Sequence, residues 1–208
     1  MNPTSDSARR PLQTRTTAWA RRLSGALVAR RVSPNAIPIA GIGFAGMGAA
    51  ALIFVAKGWI PAGPGLFLAA AGVQLRLLCN MLDGLVAVEG GLKSKAGDLF
   101  NEAPDRLEDV ILLVAAGIAS GHPQLGWCCA TLAVATAYFR AFGASLSLGQ
   151  NFCGPCAKPH RMAILTLGLL ASMLPGHLPF LSISLWIIAV LTAITLLRRL
   201  QHIYRQLP

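Results

Sequence analysis

Asn80-x-x-Asp83-Gly84-x-x-Ala87 and, separated from Val88 by eight residues, Gly97-x-x-x-Asn101-x-x-x-Asp105 hold the residue types best able to do chemistry in this chain. On a helix Asn80, Asp83, Gly84 and Ala87 recur at i, i+3, i+4 and i+7, so they share one face. Gly97, Asn101 and Asp105 repeat every four residues on the helix that follows, with Asp98, Glu102 and Asp109 nearby. Two such faces meeting across a short turn would bring carboxylate and amide oxygens together. That is the donor set a hard divalent cation such as Mg²⁺ takes, and the glycines let backbone or ligand approach closely. On the residues alone a plainer reading stays open, in which the same side chains cap helix ends and pair with Lys93, Lys95 and Arg106.

The elements that must hold these faces are membrane helices. Of 208 residues 54% are hydrophobic and 12% charged, and mean hydropathy is +0.58; an ordinary globular domain has roughly 25% charged residues. Of the eight acidic residues only Asp6 lies outside the window 83–109. A polar arm runs to about Gln13, followed by a basic amphipathic segment, "TRTTAWARRLSGALVARR", suited to the membrane surface. Its arginines interrupt any apolar core of a cleavable signal. "SPN" then opens the first span near Asn35. Apolar runs predict spans at roughly 35–56, 64–88, 98–120, 124–148, 161–175 and 179–199. The expected fold is thus all-α, a six-transmembrane-helix bundle over 34–200, with an arm and amphipathic helix at 1–33 and a basic tail at 201–208.

Charge sets the orientation. With both termini in the cytoplasm, the N-terminal arm, Lys93, Lys95, Arg106, Lys158, Arg161, Arg198, Arg199 and Arg205 share one side, and only Lys57 falls opposite. Arg76 and Arg140 remain inside predicted spans, where each needs a partner or a wet cavity. The net charge of +10 is accounted for by anionic membrane lipids at that face. The chain lacks the interleaved aromatics of a single-strand binder, so no nucleic-acid partner is expected.

The spacing Asn80-x-x-Asp83-Gly84-x-x-Ala87-Val88-x₈-Gly97-x-x-x-Asn101-x-x-x-Asp105 resembles the signature of the CDP-alcohol phosphotransferase family, D-x-x-D-G-x-x-A-R-x₈-G-x-x-x-D-x-x-x-D. The six-helix membrane fold of that family and its Pro-Asn entry, here Pro34-Asn35, match the topology above. The resemblance implies displacement of CMP from a CDP-linked lipid by an alcohol acceptor, with Mg²⁺ or Mn²⁺ on the diphosphate, at the cytoplasmic face of a bacterial inner membrane. By position it makes Asn80, Asp83 and Asn101 metal ligands. It gives Gly84, Ala87 and Gly97 the CDP moiety, and Asp105 the proton of the acceptor hydroxyl.

Three positions depart from the signature: asparagine stands for aspartate at 80 and 101, and Val88 for arginine. Each asparagine keeps an oxygen ligand but loses a formal charge, and valine removes a bidentate phosphate contact. Asp98 and Glu102 could restore carboxylate, and Lys93, Lys95 or Arg76 positive charge. The resemblance extends to a bacterial subgroup with asparagine at both positions. A different class of reading is a non-enzymatic homologue that binds CDP-lipid as a membrane partner. A small transporter fits less well, because transporter sites favour the membrane midplane.

A second group, Lys158 and Arg161 in "GPCAKPHRMA" with Arg140 before it, lies where family members bind the acceptor. Ordinary positive-inside flanking competes with that assignment. Cys153-Gly-Pro-Cys156 spells a redox dithiol without the βαβ setting that lowers a thiol pKa, and adding His160 leaves a zinc site one ligand short. Gly41, Gly43, Gly46 and Gly48 predict close helix packing, with room for a homodimer.

Overall fold

A computed structural model of the chain describes residues 17–91, 95–175 and 179–207, with backbone alone at 95–98. Among the described residues there are seven helices: α1 (Ala18–Ala29), α2 (Ala36–Ala56), α3 (Ala62–Glu89), α4 (Lys95–Ala119), α5 (Pro123–Ser145), α6 (Lys158–Ala171) and α7 (Phe180–Gln206). α1 is the amphipathic segment, and α2 begins directly after Asn35. α7 runs on to Gln206, so most of the segment assigned to a tail at 201–208 is helical.

Among the described residues four helices, α2, α3, α5 and α7, are long and apolar enough to cross a membrane. The other two expected spans differ for separate reasons. α4 has 25 residues, about 38 Å at 1.5 Å per residue; it carries Glu102, Asp105, Arg106, Glu108 and Asp109 between its start and just past its middle. α6 has 14 residues, about 21 Å against a hydrocarbon core of about 30 Å.

The helices close into a ring in which α2 packs on α3 and α4, α4 on α5, α5 on α7, α7 on α6, and α6 back on α3. Its centre is filled by Leu52, Val73, Leu112, Leu113, Met162, Leu165, Leu185 and Ile188, all fully buried. Small residues let the axes approach. A Cβ on Gly117 of α4 would lie 2.6 Å from the Cα of Gly126 on α5. Of the four α2 glycines, Gly41 and Gly48 face the interior and Gly43 and Gly46 face open space. The outer surface is apolar as well: Phe67 is 61% exposed, Leu167 67% and Leu174 62%. A surface of that kind is stable against lipid rather than water, as an integral membrane protein requires.

Candidate active site

α3 and α4 present their polar faces to each other at one end of the ring. Asn80 and Asp83 are 8% and 4% exposed, Gly84 is buried, and Ala87 is half-buried one turn beyond. Val88 points outward at 52% exposure. An Asp83 carboxylate oxygen accepts the N–H of Gly84. Across from them Asp105 is buried and Asn101 half-buried on α4, with Pro104 inside the helix between them. Pro104 has no N–H to donate, so the Phe100 carbonyl lacks its intrahelical partner next to the site. Gly97 and Asp98 lie in the first turn of α4, where side-chain placement is outside the described residues; Lys95 shares that segment and Lys93 lies outside it altogether.

The facing helices are joined by a buried ion network. Arg76 of α3, fully buried, donates to Glu108 at 2.9 Å and to Asp109 at 2.5 Å, and lies 4.0 Å from Asp105. Asn80 Nδ2 donates to Asp105 Oδ1 at 2.5 Å and to Glu108 Oε2 at 3.0 Å. Arg161 of α6 holds the other oxygen of Asp109 at 2.8 Å. Isolated charges at such depth would be prohibitively costly, so the alternation of sign is what allows them. Arg76 therefore meets the demand of a membrane-depth arginine through carboxylates of α4.

The predicted acceptor residues border this network with different partners. Lys158 Nζ pairs with Asp105 Oδ2. Arg140 of α5 reaches Glu102 at 2.5 Å and lies 5.5 Å over the Phe152 ring. Arg161 is 2% exposed and committed to Asp109 and the Cys156 carbonyl. Glu102, considered above as a spare carboxylate, is engaged by Arg140 and Arg106.

Sequence reasoning passed over Glu108 and took Arg199 for a flanking cation only. Glu108 is fully buried at the hub of the network, and Arg199 of α7, 5% exposed, donates to the carbonyls of Thr136 and Cys153. Among the described residues Arg199 has no acidic partner within ion-pair distance. The need of Arg76 for counter-charges was the available signal for Glu108: positions 105, 108 and 109 share a helix face. The cysteine pair is structural. Cys156 is buried, its N–H bonds Thr195 Oγ1 at 3.0 Å, and burial pushes its thiol pKa up, opposite to an activated nucleophile. His160 Nδ1 accepts the Ala157 N–H at the start of α6.

The donor set suits a divalent cation through oxygens rather than through a carboxylate cage. Among the described residues no three His, Cys, Asp or Glu side chains gather as a metal site. Asn80 Oδ1, however, is buried and without a hydrogen-bond partner beside Asp83. An orphaned amide oxygen next to a buried carboxylate is what a hard cation would satisfy.

No protein-family model matches the chain. The fold is nevertheless one shared with solved structures. It superposes on the crystal structure of phosphatidylinositol phosphate synthase of Mycobacterium tuberculosis with CDP-DAG bound, with a TM-score of 0.75, 23% identity, and 90% of this chain and 94% of that one covered. The manganese and citrate complex of that enzyme gives a TM-score of 0.74 at 24% identity over 89% of this chain and 88% of that one. By sequence the chain is similar to phosphatidylinositol phosphate synthases of Streptomyces avermitilis and Mycolicibacterium smegmatis. Each is 27% identical, over 86% and 85% of this chain and 75% and 79% of theirs. The chain is thus similar, in sequence and in fold, to phosphatidylinositol phosphate synthases, in line with the resemblance read from the motif.

Proposed function

We propose that the protein moves a phosphatidyl group from a CDP-alcohol, CDP-diacylglycerol foremost, to an alcohol acceptor, with release of CMP. The observation that carries this reading is Asp105, buried opposite Asn80 and Asp83 on the facing helix, in a fold shared with a protein crystallised with CDP-DAG. Asn80, Asp83, Asn101 and Asp98 are the residues that would hold Mg²⁺ or Mn²⁺, and the relative crystallised with manganese supports the choice. When bound, the metal offsets charge on the diphosphate. Gly84, Ala87 and Gly97 leave room for the CDP moiety.

Asp105 takes the proton of the acceptor hydroxyl as its oxygen bonds to the lipid-bearing phosphorus and the bond to the CMP oxygen breaks. An anionic acceptor that draws Lys158 to itself removes the nearer of the two cations on Asp105 Oδ2, the other being Arg106 at 3.5 Å. The charge balance argues for such an acceptor. On the accessible side of the network Arg106, Arg140 and Lys158, each part-exposed, gather on Glu102 and Asp105, three cations against two carboxylates. A phosphorylated alcohol fits that surplus, in keeping with the name of the relatives.

In this reading α4 and α6 complete six spans over 34–200. The site and both termini face the cytoplasm of a bacterial inner membrane, and the open face of Gly43 and Gly46 leaves space for a homodimer. The loss of charge at Asn80, Asn101 and Val88 favours one competing reading, a non-catalytic protein that binds CDP-lipid. The test is CMP release by the purified protein in lipid with CDP-diacylglycerol and a panel of phosphorylated and neutral alcohols. CMP with a phosphorylated acceptor supports transfer. Donor binding without CMP from any acceptor supports the competing reading.

A further inference from the structure

Asparagine differs from aspartate in having two unlike ends. To offer oxygen to a cation its NH₂ must be held away, which an aspartate never requires. In this site both hydrogens of Asn80 Nδ2 are taken by acceptor-only groups, Asp105 Oδ1 at 2.5 Å and Glu108 Oε2 at 3.0 Å. The atom facing two carboxylate oxygens must be the nitrogen. Oδ1 is left as a buried acceptor with no protein partner.

Glu108 can stand there only because its surroundings admit it. Arg76 neutralises it at 2.9 Å. On the far side it needs the bare backbone of Gly41 on α2: a Cβ at that position would lie 2.5 Å from Glu108 Oε1.

Resting on the metal-dependent reading above, we propose that Glu108 is the positioning residue that makes Asn80 serve as an oxygen ligand, so that Arg76, Glu108 and Gly41 form one unit with the asparagine. With aspartate at 80, an oxygen would face two carboxylates and Glu108 would repel it. The side chains at 80 and 108 are thus matched to each other: asparagine goes with glutamate, and aspartate with a group able to donate.

The test is Mn²⁺ binding to the purified protein in lipid, read by electron paramagnetic resonance, for Glu108→Gln, Asn80→Asp, the double variant and Gly41→Ala, with thermal melts alongside. Glu108→Gln should weaken Mn²⁺ binding about 10- to 100-fold, as losing a group that orients a metal ligand does. Gly41→Ala should act in the same direction with every charge intact. Asn80→Asp alone should lower the melting temperature and bind Mn²⁺ no better than wild type. The double variant should recover both, because Glu108→Gln removes the carboxylate that repels the one placed at position 80 and keeps the net charge beside Arg76 unchanged. Unchanged Mn²⁺ affinity in Glu108→Gln overturns the proposal, as does an equal loss from Glu108→Gln whether position 80 holds asparagine or aspartate. Wild-type protein that binds no Mn²⁺ overturns it too. The proposed transfer reaction is judged separately by CMP release, which an unaltered Mn²⁺ affinity in Glu108→Gln would leave standing.

Discussion

Lys158, the first residue of α6, donates to Asp105 of α4, so the cation suited to an anionic acceptor and the carboxylate suited to its hydroxyl proton are bound to each other. An acceptor phosphate would exchange one anionic partner of Lys158 for another. Lys158→Met should raise KM for a phosphorylated acceptor about 10- to 100-fold, from the loss of a charged hydrogen bond of about 1.5–3 kcal/mol, and should leave donor KM unchanged. Steady-state kinetics with each substrate varied separately checks this.

Arg76 is the counter-charge on which the α3–α4 interface depends. Arg76→Met leaves Glu108 buried without its ion pair and should destabilise the protein by about 3–5 kcal/mol. Arg76→Met combined with Glu108→Leu removes both charges and should recover much of that loss. Unfolding of the two variants in the same detergent measures the difference.

How much of this was legible in the chain depends on the kind of signal. Helix positions followed from apolar runs, and the shared face of Asn80, Asp83 and Gly84 followed from their spacing. The partners of α4 were less so. Spacing shows that 105, 108 and 109 share a face, but which helix they meet depends on how the ring closes, and that is set by packing of α4 between α2 and α5. Arg161 shows the same limit. It stands beside a span as an ordinary flanking cation would, yet α6 turns it inward to Asp109. Arg199 was grouped with surface-flanking residues for the same reason, and its neighbour Arg198 is the exposed one.

The helix crossings separate glycines that matter from those that do not. Gly117→Ala drives a methyl into the Gly126 backbone and should cost about 1–3 kcal/mol. Gly43→Ala meets nothing within 4 Å and should be neutral or stabilising by up to about 1 kcal/mol. Thermal melts of the pair make the comparison.

Cys156 should be inert. Burial raises its thiol pKa, so less thiolate forms at mildly alkaline pH than for a free cysteine. Alkylation of the folded protein at such a pH should be slow at this residue by peptide mapping, and reductant should leave CMP release unaltered.

The central claim is transfer chemistry at the α3–α4 face, and CMP release from CDP-diacylglycerol tests it most directly. The purified protein in lipid is supplied with a phosphorylated alcohol and with Mn²⁺ or Mg²⁺, then with chelator, beside Asp83→Ala and Asp105→Ala. The account predicts CMP from the wild-type protein only when metal is present, and none from either variant. CMP that persists in chelator or in Asp83→Ala, or its absence from the wild-type protein with every acceptor, would contradict it.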